Sequence, residues 1–374
     1  MTKAAELAKM GEVLTNSQIG GRRNIVINGA MQVAQRGTSF TSVAGSAYHL
    51  DRFRTGMGDT TARFTVTQAT AGLNGFGKSL KYDCTTAESS LSNADARLFI
   101  SHRIEGQNLQ QLKKGTSSAE KITISFYVKS TKTGTYILNI VDSDNNRQIS
   151  KAYTISASGT WEQKILTFDG DTTGALTNDN NTSLQLNWWL IAGTGHSGGT
   201  LATSWQGYAG SSDYEDSAVG NVNLGDSTSN TWEITGIQLE VGSQATPFEH
   251  RSFGEELALC ERYFVECFRG DSNYESAGTG WAFASNGIVM YRPLRVSMRA
   301  KPSLTESASG TIHLSDDSNA SINISGDIHT NTNVVSTQFA YVECASSGLT
   351  QYRTYHVRAN GTTTNASLAL DAEL

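Results

Sequence analysis

Residues 72–79 (GLNGFGKS) match the phosphate-binding pattern G-x-x-x-x-G-K-[ST] at every defined position. That pattern binds nucleotides because its backbone amides surround the phosphates at the first turn of a helix. Here Ser79 is followed by Leu-Lys-Tyr-Asp-Cys, in which apolar and polar side chains alternate as they do in a strand. Because no helix follows, we interpret the segment as a glycine-rich hairpin turn rather than a nucleotide site.

Three carboxylates, Asp213, Glu215 and Asp216, cluster in the serine-rich loop AGSSDYEDSA. Paired carboxylates can hydrolyse glycosides or ligate calcium, and calcium is the better of these two options. Neighbouring carboxylates in such a loop are more often simply solvated, so we predict no metal site and no cofactor. The seven histidines are scattered without ligand spacing, and no nucleophile motif is present. We therefore predict that the protein is not an enzyme.

Five aromatic residues lie close together in the sequence, beside a stretch rich in Gly, Ser and Asn: Trp188, Trp189, Trp205, Tyr208 and Tyr214. Flat rings stack on the C–H faces of sugars, while polar loops bond their hydroxyls. Strand alternation sends one of the two adjacent tryptophans into the core. We predict that Trp205, Tyr208, Tyr214 and Trp189 contact carbohydrate, and the alternative is that these rings only fill the core.

The composition is typical of short strands joined by many polar turns, with 36 glycines and only 17% charged residues in 374. A net charge of −6 and the lack of a basic face make nucleic acid an improbable partner. The spacing of the four cysteines indicates free, buried thiols. The sequence contains neither a signal peptide nor an apolar stretch of membrane-spanning length, which predicts synthesis in a bacterial cytoplasm and no membrane insertion.

Period-two alternation recurs every ten to twenty residues and predicts an antiparallel β-sandwich, for which we choose a jelly roll, over residues 23–250. The predicted strands are residues 62–69, 79–84, 96–104, 121–129, 135–142, 148–155, 162–168, 183–191 and 231–240. Residues 24–29 (NIVING) also read as a β-run that ends in a turn.

Helical spacing predicts two helices outside this sandwich. Residues 1–15 form a short helix in an N-terminal attachment or oligomerisation segment, residues 1–22. Residues 251–266 form a connector helix that opens a second, small β-rich domain, residues 251–374. Absence of any internal repeat of 20 to 50 residues disfavours a β-helix or a propeller.

Three segments resemble a family of bacteriophage tail-fibre and virion structural proteins, including those of marine and cyanobacterial phages. They are residues 24–36 (NIVINGAMQVAQR) with 48–53 (YHLDRF), residues 231–264 (TWEITGIQLEVGSQATPFEHRSFGEELALCERYF) and residues 292–303 (RPLRVSMRAKPS). The start, AELAKMGEVLTNSQIGGRRN, is also similar to theirs. The resemblance extends to about residue 303, and its motifs are long enough to be specific to the group.

This resemblance implies a fibre subunit of the phage tail that assembles as a homotrimer. Its N-terminal segment would bind tail adaptor or nozzle proteins, and its jelly roll would be akin to a carbohydrate-binding module. The expected partner is polysaccharide or lipopolysaccharide of the host surface, with the C-terminal domain as a receptor-binding tip. Two alternatives stay open: a purely structural head, neck or tail-adaptor fibre, and a polysaccharide depolymerase, which would need the solenoid repeat that the sequence lacks.

Overall fold

The computed structural model describes residues 3–4, 23–208, 216–270, 276–306, 312–316, 321–330, 336–359 and 366–374. Strands take 49% of the chain and helices 8%, so the predicted mostly β class is confirmed. The predicted N-terminal helix lies almost wholly outside the described residues. The chain divides into two compact units, Met1–Phe253 and Gly254–Leu374.

The first unit is built from strands with little helix. Its strands are β1 (Ser39–Val43), β2 (Ala47–Tyr48), β3 (Phe53–Gly58), β4 (Arg63–Leu73), β5 (Phe76–Thr86), β6 (Arg97–Glu105), β7 (Ile122–Ser130), β8 (Gly134–Asp142), β9 (Arg147–Ile155), β10 (Glu162–Phe168), β11 (Thr182–Ala192), β12 (Gln206–Gly207) and β13 (Thr231–Val241). A short helix, α1 (Thr194–Ser197), follows β11, and 3-10 turns lie at Gly106–Asn108, Gln110–Leu112 and Leu224–Asp226.

These strands form two antiparallel sheets, which confirms the predicted jelly-roll sandwich. One sheet has six strands in the order β1-β4-β5-β13-β7-β10, and the other has seven in the order β12-β9-β8-β11-β6-β3-β2. Alternate side chains of both sheets meet in one apolar core, in which Phe126, Trp188 and Trp232 are fully buried. Burial of these large rings supplies much of the hydrophobic stabilisation of the unit.

The segment that matches the phosphate-binding pattern is the β4–β5 hairpin. Leu73 pairs with Phe76 across the turn, and Gly75 adopts a φ of +87° that an L side chain rarely takes. Ser79 lies inside β5, where its hydroxyl donates to the Glu233 carboxylate. No helix starts there, so the hairpin interpretation is confirmed.

Residues 24–29 are buried but do not form the predicted strand. The Asn24 side chain accepts hydrogen bonds from the amides of Val26 and Leu239 and donates one to the Ile237 carbonyl. These local side-chain bonds replace a strand ladder, which is the habit of asparagine in turns.

The second unit begins with helix α2 (Phe253–Glu261) and continues entirely in strands. They are β14 (Phe264–Gly270), β15 (Ser276–Ala284), β16 (Gly287–Pro293), β17 (Ser303–Glu306), β18 (Ile312–Ser315), β19 (Ser321–Thr330), β20 (Phe339–Ser346), β21 (Thr354–Ala359) and β22 (Ala366–Asp371). The helix is shorter than the predicted 251–266 because Phe264 already pairs with Asp371 in a sheet.

Two sheets make up this unit. Strands β14, β22 and β17 form a three-stranded sheet, and β15-β16-β20-β19-β18-β21 close into a barrel. A second apolar core fills the unit. All four cysteines of the protein are buried and free, as predicted. Within the described residues, no helix is both long and apolar enough to cross a membrane.

Candidate functional site

The adjacent tryptophans of β11 point to opposite faces of the seven-stranded sheet. Trp188 enters the main core, where its ring meets Phe126 edge-on at 5.9 Å. Trp189 lies on the outer face and is only 3% exposed. Its ring is 4.9 Å from that of Phe99 and 5.1 Å from that of His196, and Leu201 packs in the same small cluster. Trp189 therefore borders the outer face but presents little surface of its own.

Trp205 and Tyr208 flank the short edge strand β12. The Trp205 ring is partly buried, its Nε1 donates to the Asp169 carbonyl at 2.8 Å, and the Lys114 ammonium lies 5.2 Å from the ring centroid. The amide of Tyr208 donates to the Asn146 carbonyl at 3.0 Å. Trp205 therefore packs against the core at the sheet edge, Tyr208 is partly exposed there, and Tyr214 lies outside the described residues.

A buried ionic network anchors this edge. The Lys114 ammonium contacts the carboxylates of Asp142 and Asp171 and donates to the carbonyls of Thr173 and Gly174. Arg147 binds Asp171 through two nitrogens and donates to the Trp205 carbonyl. Burial by itself raises the pKa of Asp171, but hydrogen bonds from Arg147 and Lys114 outweigh it and hold that pKa below its usual value. The network fixes the backbone of Trp205.

The outer face of the seven-stranded sheet carries a continuous row of polar side chains across neighbouring strands. The row, called the polar row below, consists of Tyr48, Arg54, Ser101, Asn187, Asn139 and Ser150, each directly opposite the next. Their strand neighbours, such as Leu138 and Leu186, point the other way into the core. Directly opposed residues have Cβ atoms about 5 Å apart, so these side chains adjoin one another.

A second row lies beside the first. It runs through Gln206, Gln148, Val141, Gln185 and Arg103, again by direct opposition. Gln185 donates to the Ser143 hydroxyl at 2.9 Å. Gln185 and Arg103 are partly exposed. Together the rows give the face amide, hydroxyl and guanidinium groups, which are the groups that bond sugar hydroxyls.

Hydrogen bonding is incomplete in the middle of the polar row. The amide of Asn139 donates to Gln148 and Ser150. The Oδ1 atoms of Asn139 and Asn187 and the hydroxyl of Ser101 have no hydrogen-bond partner in the part of the chain that the structure describes. Buried polar atoms are nearly always bonded in native proteins. Because Ser101 and Asn139 are fully buried and Asn187 is 5% exposed, their unmet capacity is a cost inside the fold.

An aromatic border limits the polar row on one side. Phe99, partly exposed, pairs with Trp189 on β11 and with Gly56 on β3. Its ring lies across Gly56, where a Cβ atom would come within 2.3 Å of it. Any larger residue at position 56 would displace the ring. Most of the polar row is buried: Ser101, Asn139 and Ser150 are 0% exposed and Asn187 is 5% exposed. The partly exposed residues of this face are Tyr48, Arg54, Phe99, Arg103 and Gln185. This exposed end of the face joins an aromatic ring to polar groups, the combination expected of a sugar-binding surface.

Of the residues described on this face, the sequence predicts only Trp189 as a carbohydrate contact. The signal that could have revealed more was the asparagine inside each of two strongly apolar strands, TYILNIVD and LQLNWWL. Both strands are largely buried on both faces, so the two asparagines are polar residues inside the protein, where polar groups are expected to be hydrogen-bonded. Strand alignment, which brings them opposite each other, required the tertiary fold.

The second unit presents exposed aromatic side chains on its barrel. Trp281 and Phe283 on β15, Tyr291 on β16 and Tyr352 before β21 are 39%, 40%, 55% and 76% exposed. We call these four residues the barrel aromatic face. The Phe283 ring covers Gly287 of the neighbouring strand, and Tyr291 lies 6.4 Å from Phe339. Exposed rings of this kind mark an interaction surface.

Of the three carboxylates predicted in the serine-rich loop, only Asp216 lies among the described residues. Asp216 accepts hydrogen bonds from the Thr200 amide and the Gln206 side chain. Asp213 and Glu215 lie outside the described residues. Among the residues described, no group of three or more His, Cys, Asp or Glu side chains could hold a metal ion.

No protein-family model and no curated protein matches the chain. Solved structures that are similar to it include a family 11 carbohydrate-binding module from Clostridium thermocellum in complex with a mixed-linked tetrasaccharide, at 12% identity over 55% of this chain and 100% of that one, with a TM-score of 0.29. The module TmCBM61 in complex with β-1,4-galactotriose is similar at 11% identity over 59% and 99%, with a TM-score of 0.30. Tailspike protein 4 of bacteriophage CBA120, its enzymatically active domain, is similar at 12% identity over 59% and 21%, with a TM-score of 0.28. At these identities and TM-scores the likeness gives no information about function.

Proposed function

We propose that the chain is a non-enzymatic virion fibre subunit that attaches a phage to glycan on the host surface. The observation that carries the glycan part is the exposed end of the outer face, where Tyr48 and Arg54 of the polar row lie beside Phe99, Arg103 and Gln185. The phage part rests on the three sequence segments that resemble tail-fibre proteins. Trp205 and Tyr208, at the edge of the same sheet, remain proposed contacts, as does Tyr214.

The dimensions of the exposed end of this face favour an extended ligand. It crosses four strands, β2, β3, β6 and β11, and at about 4.8 Å between strands it is about 14 Å across. A single sugar ring would occupy only part of that length. Hydroxyls spaced along an oligosaccharide could bond successive strands, while one ring face stacks on Phe99. A linear surface polysaccharide is therefore the ligand class that fits best.

Assembly supplies the remaining affinity in this proposal. Single sugar sites bind weakly, and a homotrimer carries three such faces, which raises the effective affinity without new contacts. Tail adaptor or nozzle proteins would hold the N-terminal segment, residues 1–22. The virion tail is the proposed location, and the barrel aromatic face is the proposed second contact of the receptor-binding tip.

Binding of the purified full chain to a panel of bacterial lipopolysaccharides and capsular polysaccharides tests the glycan proposal. The double variant Gln185→Ala and Asn187→Ala should bind at least tenfold more weakly. Gln163→Ala is the matched control, because Gln163 lies exposed on β10 of the other sheet. Absence of binding to every polysaccharide, or equal weakening by the control, would overturn the proposal.

Two further measurements separate this function from its alternatives. Antibody labelling of phage particles should place the chain at the tail, whereas label at the head or collar would favour a purely structural fibre. Incubation with bound polysaccharide should release no reducing ends. Their release would instead indicate a depolymerase.

A further inference from the structure

Arg54, which lies in the polar row, is a half-buried cation without a counter-ion. In the described chain it makes neither an ion pair nor a side-chain hydrogen bond, although it is only partly exposed. Other arginines of the sandwich differ: Arg97 pairs with Asp59 at 2.6 Å, and Arg147 binds Asp171. Removing a guanidinium partly from water without a partner is costly, so the position is stabilised when an anion arrives.

The neighbours of Arg54 add to the positive charge around it. Ser101 and Tyr48 flank it directly in the polar row, and Arg103 lies diagonally across on β6. Burial first, and then the charges of Arg103 and Arg97, lower the pKa of Arg54, while Tyr48 raises it. Arg36, 5.4 Å from the Tyr48 ring centroid, lies at the same end of the row, where the Asp51 carboxylate at 3.9 Å offsets part of its charge. In a chain of net charge −6 this local excess of arginine is unusual.

We propose that Arg54 binds an oxyanion carried by the glycan, either the carboxylate of an acidic sugar or a phosphate substituent, at this end of the polar row. The inference rests on the proposed function, since it names the class of glycan that the face takes. The planar guanidinium offers two parallel N–H donors to such a group, which gives both affinity and orientation. Tyr48, which lies directly opposite Arg54 and is also partly exposed, borders the same position, whereas the neighbouring Ser101 is fully buried.

The test uses the full chain and bacterial surface polysaccharides in three forms: native, carboxyl-reduced, and dephosphorylated with hydrofluoric acid. The wild-type chain should bind the native form at least tenfold more tightly than one of the two modified forms, and which form loses binding identifies the anion. Arg54→Gln should bind all three forms alike. Higher salt should reduce native binding by the wild type and leave the binding of Arg54→Gln nearly unchanged.

Two variants control for charge and folding. Lys78→Gln removes one positive charge from the other sheet and should keep the preference for the native glycan. Arg54→Lys keeps the charge without the planar fork and should retain only part of the preference, which tests the proposal even if Arg54→Gln folds poorly.

The outcomes separate the two proposals. Equal binding of all three forms by the wild type, or an unchanged preference in Arg54→Gln, overturns the oxyanion site while glycan binding stands. Failure of the wild type to bind any form overturns the proposed function, and the oxyanion site with it.

Discussion

The two units differ in where they place their tryptophans and in how many aromatic rings they expose. In the sandwich Trp188 and Trp232 are fully buried, and the outer face of the seven-stranded sheet shows polar side chains bordered by a partly covered ring. In the barrel, Trp281, Tyr291 and Tyr352 stand at the surface. A wide sandwich can bury several large rings between its sheets, whereas the core of the second unit is mostly aliphatic, with Tyr355 as a buried ring of the barrel.

This difference shows that aromatic residues clustered in a sequence can belong to a core in one fold and to a surface in another. Trp188 and Trp189 are adjacent in the sequence but serve a core and a surface border, respectively. Rings of the barrel aromatic face are separated in sequence and are joined only by strand pairing. The density of rings in the sequence therefore does not by itself locate the proposed sugar-binding surface.

The largest expected effect is the difference in stability loss between removing a buried tryptophan and removing an exposed one. Trp188→Ala should lower the free energy of unfolding by about 3–5 kcal/mol, because a large core side chain is lost and a cavity remains. Trp281→Ala should lower the free energy of unfolding by less than about 1 kcal/mol. Denaturant unfolding of both variants measures this, and equal losses would mean that the contrast between the units is wrong.

The next effect is acid sensitivity of the sandwich. Burial, and secondarily Arg36, lower the pKa of His49 from 6.5 to about 4, so the folded protein keeps this imidazole neutral. Between pH 6.5 and pH 4 the unfolded chain binds a proton that the folded chain does not. Stability is therefore full above pH 6.5 and falls by roughly 3 kcal/mol as the pH drops to 4.

Urea unfolding followed by tryptophan fluorescence would detect this loss, since every tryptophan except Trp281 lies in the sandwich. His49→Gln should flatten the pH dependence. In the barrel, burial and Arg358 also lower the pKa of His313, but that side chain is partly exposed, so its contribution should be smaller. A steeper acid loss in the barrel would contradict the comparison.

Asn187→Leu should separate binding from stability on the outer sheet face. The substitution removes a buried oxygen that has no partner in the described chain, so the free energy of unfolding should change by less than about 1 kcal/mol. Glycan affinity should fall about tenfold, which is about 1.4 kcal/mol. Calorimetric titration measures the glycan affinity, and thermal unfolding measures the stability. A variant that unfolds readily yet binds glycan normally would contradict the role of Asn187 in binding.

The smallest effect is expected at the barrel aromatic face. Tyr352→Ala should change the free energy of unfolding by less than about 0.5 kcal/mol, since the ring is 76% exposed. Binding of isolated oligosaccharide should be unchanged if the polar row is the sugar site. Loss of that binding in Tyr352→Ala, measured beside Asn187→Leu, would move the primary site from the sandwich to the barrel.

The sequence alone determined the mostly β class, the hairpin at residues 72–79 and the positions of most sandwich strands. These features depend on local alternation and turn chemistry, which neighbouring residues carry. It also indicated that one of Trp188 and Trp189 enters the core. The end of the connector helix was missed, because pairing of Phe264 with Asp371 joins residues far apart in the chain.

Only the tertiary structure decided the candidate site. Tyr48, Arg54, Ser101, Asn187 and Asn139 come from five strands, and nothing in their local sequence states which of them will be opposed. Strand order and register are set by the summed packing of two sheets, in which a shift of one residue would turn every side chain to the other face. For that reason the polar row, and the unpaired Arg54 within it, could be read only from the folded chain.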